Sequence, residues 1–147
     1  MSVLVQAADF DPAAEMAALT AGSTEAGAVA SFVGLVRGGE IQAMTLEHYP
    51  GMTEKALAEI VDQARERWPL LGARVVHRIG RLLPGDRIVL VAVSSRHRQA
   101  AFAACEFIMD YLKTRAPFWK YEETAAGGRW VDARESDDEA MRRWADS

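Results

Sequence analysis

From Ile88 to Val93 the stretch RIVLVAVSS is apolar at every position, and most of those residues are β-branched. Such a run is short for a buried helix and suits a strand shielded from water, so a central strand is expected over Arg87–Ser94. Downstream, Phe102, Cys105, Met109 and Leu112 recur at helical spacing, and Phe107, Ile108 and Tyr111 widen the stripe. That pattern predicts a largely buried helix over Gln99–Thr114, ended by Pro117, which lacks the N–H a further turn would need.

The remaining segments read as elements arranged around this pair. Val3–Gln6 is a short strand, and Asp11-Pro12 opens a helix to about Thr20 with proline in its first turn. Gly27–Gly39 and then AMTLEHY, with Met44, Leu46 and His48 on one face, read as strand, loop and strand. Thr53 is placed to cap a helix from Glu54 to Trp68, in which Leu57, Ile60, Val61, Ala64 and Trp68 share a face before Pro69. Ala73–Leu82 reads as a strand joined to Arg87–Ser94 by the turn Pro84-Gly85-Asp86. Trp119–Glu123 and Arg129–Ala133 suggest a hairpin around Gly127-Gly128, and Ser136-Asp137-Asp138-Glu139 is a capping-box pattern opening a last helix. No repeat, linker or low-complexity segment interrupts the 147 residues. The expectation is a single α+β domain over 1–147, with antiparallel strands and an additional hairpin.

A formal net charge of −4 argues against general affinity for nucleic acid or anionic membranes, so any basic site must be concentrated. One cysteine, Cys105, excludes an internal disulfide and a multi-cysteine zinc site. His48, His77 and His97 fall on separate elements, and no Walker or dinucleotide fingerprint is present, so neither metal nor cofactor is expected. The N-terminal MSVLVQAADF lacks a cationic stretch followed by an apolar core, and no run approaches bilayer length, which makes the cytoplasm the expected location.

Cations concentrate in three places. The aromatic string MDYLKTRAPFWK, Met109–Lys120, carries Lys113, Arg115 and Lys120. A tight connection at Pro117 can bring Lys113 and Lys120 to one cleft, where like charge and partial burial lower a lysine's pKa from about 10.4 toward a value useful for proton transfer. Alternatively, Lys113 complements the helix C-terminus and Lys120 pairs with Glu122 along its strand. In SSRHRQ, Ser94–Gln99, a strand turns into a helix N-terminus carrying Arg96, His97 and Arg98, which suits a phosphate or carboxylate but also fits a solvated basic turn. Arg37 stands at a third strand end. Together these residues describe a cationic cleft for a phosphorylated or carboxylated small molecule.

The strings LEHYPGMTEKALAEI, HRIG with PGD, SSRHR and FIMDYLKTRAPFWK resemble the family of large, catalytic subunits of molybdopterin synthase, over about Gly27 to Trp144. The resemblance implies an α/β hammerhead fold and a homodimer of large subunits. Each would bind a small ubiquitin-like sulfur-carrier subunit with a thiocarboxylated Gly-Gly C-terminus, giving a heterotetramer. Sulfur would pass from that tail to cyclic pyranopterin monophosphate, forming the dithiolene of molybdopterin, with no ATP or metal on the large subunit. Lys113 and Lys120 match the family's catalytic lysines. Arg37, His97 and Arg98 match its substrate pocket, with Leu35 and Val36 beside Arg37. Tyr121 and Glu122 complete the segment, and Arg134 is a weaker candidate. The loop GGEIQ after Arg37 is shorter than is usual for the family, and Tyr121 stands where relatives also carry a basic residue. Two other functions fit the cations: a non-catalytic module binding a ubiquitin-like tail or phosphorylated pterin, and a phosphoester hydrolase using His97.

Overall fold

The computed structural model describes residues 2–131 and 135–145, the side chains of 135–138 excepted. In chain order the elements are β1 (Val3–Gln6), α1 (Pro12–Thr20), β2 (Ala28–Leu35), β3 (Ile41–His48), α2 (Met52–Arg67) and β4 (Leu70–Arg78). There follow β5 (Gly80–Leu82), β6 (Arg87–Ser95), α3 (Arg98–Arg115), β7 (Phe118–Thr124), β8 (Gly127–Val131) and α4 (Glu135–Ala145). One four-stranded sheet has the order β1-β4-β6-β2 and the other β5-β3-β7-β8. This is the expected α+β architecture with an added hairpin, although β1 joins β4 in parallel and the first sheet is therefore mixed.

The unbroken apolar run of β6 follows from its position. It lies between β4 and β2, antiparallel to both. Val89, Val91 and Val93 face α2 and α3, while Leu90 and Ala92 face Met16 and Leu19 of α1 and Phe10 just before it. Because both faces are covered, no polar position is tolerated between Ile88 and Val93. At the centre of the larger cluster Phe107 meets Trp68 edge-on at 5.4 Å and Tyr111 at 4.5 Å. Truncating a ring packed in this way costs about 3–5 kcal/mol.

Several boundaries differ from the sequence-based expectation, each for a local reason. The single strand expected over Ala73–Leu82 is two. β4 ends at Arg78, and Gly80, with φ 90°, turns the chain so that β5 pairs with β3 in the second sheet. Thr53 is not the cap of α2: Gly51 occupies that position with φ 85°, and its N–H donates to Glu54 Oε1 at 3.1 Å. Phe102 lies outside the buried stripe at 67 % exposure, because Ala101, Ala104, Cys105 and Ile108 define the inner face of α3. The hairpin turns at Ala125-Ala126, so Gly127 and Gly128 begin β8. Ala133, Arg134 and the side chains of Ser136, Asp137 and Asp138, expected to open α4 with a capping box, lie outside the described residues.

Candidate active site

The string that carries the lysines is built as a helix end, a two-residue connection and a strand. Lys113 lies in the last turn of α3, Ala116 leaves the helix in extended conformation, and the Phe118 N–H donates to the Ala116 carbonyl at 2.9 Å. β7 then begins at Phe118, and strand alternation places Phe118, Lys120 and Glu122 on one face. Their partners on β3 are His48, Leu46 and Met44, the face expected from AMTLEHY.

Beneath Phe118 lies His77 of β4, 5 % exposed, its ring stacked on the phenyl with centroids 3.7 Å apart and planes at 16°. Nδ1 is 2.8 Å from the Arg78 carbonyl, so the neutral ring carries its proton on Nδ1 and donates it there. Burial pushes the imidazole down from 6.5 to about 4; the bond to Arg78 opposes this, and the positive charges of Lys113, Lys120 and His48 reinforce it. The fields of both lysines thus converge on one buried ring. Lys113 itself is exposed and Lys120 half-buried.

A histidine depressed on folding makes stability depend on pH with a definite sign. Between about 6.5 and about 4 the unfolded chain binds a proton that the native protein excludes, so stability falls as pH drops through that window. Urea unfolding is expected to show a loss of roughly 2 kcal/mol between pH 7 and pH 5 from this group alone. The variant His77→Phe should flatten that slope, and an unchanged slope would assign the acid sensitivity elsewhere.

The other residues singled out in the sequence are distributed unevenly. Glu122, 7 % exposed, pairs with Arg129 across the hairpin at 3.3 Å. Tyr121 points to the opposite face of β7, where its ring covers Gly128 and meets Trp130 edge-on at 5.2 Å. Val36 is buried in a small cluster with Met44, Leu46 and Leu82, while Leu35 and Arg37 are exposed at the end of β2.

Arg37 and the lysines share one end of the molecule. β2 and β6 are antiparallel with Leu35 opposite Arg87, and α3 doubles back along β6, so its C-terminus returns to that end. His97 and Arg98 stand at the other end. His97 is the N-cap of α3 and makes no side-chain capping bond, and the first turn holds no acidic residue. Fifteen residues of helix separate Arg98 from Lys113, a rise of about 22 Å. Within one chain the two basic clusters cannot hold one small substrate between them.

The model of the MoaE protein family matches residues 5–115. The chain belongs to the MoaE family. A molybdopterin synthase catalytic subunit from Ralstonia nicotianae is 63 % identical over 147 residues, covering 97 % of this chain and 84 % of the relative. Among solved structures, the molybdopterin biosynthesis MoaE protein from Burkholderia ambifaria superimposes with a TM-score of 0.86 at 57 % identity, over 98 % of this chain and 97 % of that one. A chain of the protein–protein complex of subunits 1 and 2 of molybdopterin-converting factor from Helicobacter pylori matches with a TM-score of 0.74 over 92 % of each chain; at 22 % identity it speaks for the fold.

The MoaE chain's one thiol is unsuited to carry sulfur. Cys105 is buried, donates to the Val91 carbonyl at 3.8 Å, and burial together with Glu106 pushes it up to about 11. A nucleophilic cysteine needs the opposite surroundings. Among the described residues no group of three His, Cys, Asp or Glu is placed to hold a metal ion, and no helix is long and apolar enough to cross a membrane. No local pattern in the sequence marks His77 and Thr53 as parts of this end of the molecule. A lone histidine after the apolar pair Val75-Val76, three residues before the glycine at which the chain changes sheets, is the nearest available signal.

Proposed function

We propose that this chain is the catalytic subunit of a molybdopterin synthase, converting cyclic pyranopterin monophosphate to molybdopterin with sulfur from the thiocarboxylate of a small ubiquitin-like subunit. The observation that carries the reading is the convergence of Lys113 and Lys120 on the buried His77. One ammonium group there can move a proton during sulfur addition while the other neutralises the tail carboxylate or a developing oxyanion. The inert Cys105 supports a route in which sulfur arrives on the partner's tail and never resides on this chain. Main-chain contacts along the extended Gly-Gly tail would contribute much of the docking energy.

The substrate's phosphate requires His97 and Arg98, which stand about 22 Å of helix away from Lys113 in the same chain. We therefore place the reaction in a cytoplasmic homodimer whose two-fold symmetry brings the α3 N-terminus of one copy to the lysines of the other, a heterotetramer with two small subunits. Purified chain, thiocarboxylated small subunit and cyclic pyranopterin monophosphate are expected to yield dithiolene product. A folded complex that binds both partners and forms none would leave a non-catalytic binding module instead.

A further inference from the structure

The connection between the two lysines is gripped at consecutive residues from two different elements. Thr53, in the first turn of α2, is 0 % exposed. Its hydroxyl donates to the Pro117 carbonyl at 3.0 Å and accepts the Tyr49 N–H at 3.0 Å, while its own N–H donates to the Tyr49 carbonyl at 2.9 Å. One residue further, Phe118 rests on the ring of His77, which β4 holds through its bond to Arg78. Valine would fill the space of Thr53 without placing a hydroxyl in the interior, where a polar group is tolerated only when bonded. The bond it makes ends on the middle of the segment Ala116–Phe118, and neither Thr53 nor His77 reaches the exposed Lys113 by itself.

Resting on the sulfur-transfer reading above, we propose that Thr53 and His77 are positioning residues: together they clamp the Pro117-Phe118 connection so that Lys113 and Lys120 face one reacting centre. Helix α3 packs on β6 and strand β7 pairs with β3 in the other sheet, and this short link joins the two where the lysines stand. A polar link at Pro117 and an aromatic stack at Phe118 restrain both its position and its rotation. His77 adds a second property, since an uncharged ring within the fields of Lys113 and Lys120 supports the strand without adding a further positive charge.

The test uses the reconstituted complex of full-length chain, thiocarboxylated small subunit and cyclic pyranopterin monophosphate under single-turnover conditions. With both partners saturating, Thr53→Val and His77→Ala are expected to lower the rate constant by about ten- to a hundredfold, as displacements near 1 Å do in oriented reactions. Small-subunit affinity should stay within about threefold, and Thr53→Ser, which restores the hydroxyl, should recover the rate to within about threefold. Val61→Ala, in the core of α2 and away from the connection, serves as a destabilised control and should keep the natural rate constant in its folded fraction. Natural rate constants in both Thr53→Val and His77→Ala, or no recovery in Thr53→Ser, would overturn the positioning role while leaving sulfur transfer intact. If His77→Ala does not fold, the Thr53→Val and Thr53→Ser pair decides. Absence of product from the natural complex would overturn the sulfur-transfer reading, and this proposal with it.

Discussion

Replacing Lys113 with alanine is expected to slow single-turnover formation of dithiolene by about a hundred- to ten-thousandfold while the small subunit still binds. The magnitude follows from removing a proton-transfer group, not from damage to the fold. Lys113 is exposed in the last turn of α3, so its loss removes only a favourable charge at the helix C-terminus, about 0.3–1 kcal/mol. Quench-flow measurement of product, together with a titration of small-subunit affinity, separates the two effects. Lys113→Arg sharpens the result, because guanidinium keeps the charge but does not release a proton near neutrality. Recovery in Lys113→Arg would assign Lys113 to electrostatic stabilisation, and full activity in Lys113→Ala would move the chemistry to other residues.

The second large effect is a rescue. Lys113→Ala and Arg98→Ala homodimers are each expected to be nearly inactive at limiting substrate, whereas a mixture of the two chains should regain activity. In a mixed dimer one site draws its lysine and its arginine from intact positions and the other has neither. Random pairing leaves about a quarter of all sites complete, so activity should recover to about that fraction of natural. The reason lies in the length of α3: one chain does not span from Arg98 to Lys113 around a small substrate. Arg98→Ala alone should chiefly weaken substrate binding, since phosphate recognition acts in ground and transition states alike. No rescue on mixing would overturn a site shared between Arg98 of one chain and Lys113 of the other.

Much of the fold was legible because its signals are local. The burial of β6 on both faces is written in six adjacent apolar residues, and α2 announces its inner face through Leu57, Ile60, Val61 and Ala64. The errors fall where a local signal competes with a distant partner. Thr53 looks like a helix cap because threonine usually caps, but its hydroxyl is claimed by Pro117, 64 residues away. Ala73–Leu82 looks like one strand because every residue is strand-compatible, and only the second sheet's demand for β5 breaks it at Gly80. Phe102 matches the helical period of its neighbours, yet the small residues Ala101 and Ala104 let α3 approach β6 on a slightly rotated face.

The candidate site divides in the same way. Its lysines were visible in MDYLKTRAPFWK, because so many cations in an aromatic segment need an explanation that charge and burial alone can frame. Their support was not visible: His77 and Thr53 carry no local mark of a role, since stacking on Phe118 and bonding to Pro117 exist only after β4, α2 and β7 have packed.

By itself the sequence determined the type of the elements, all but the break between β4 and β5 in their order, and the buried strand and helix at the centre, and it marked the cationic residues proposed for the site. These depend on periodicity and residue chemistry within a few neighbours. Only the tertiary structure decided where those charges stand. Doubling back of α3 along β6 sends Arg98 and Lys113 to opposite ends of the molecule, and the switch of sheets at Gly80 frees β3, beside β5, to carry β7 and Lys120 toward His77. Such placements are set by contacts between segments far apart in the chain, which no local pattern encodes.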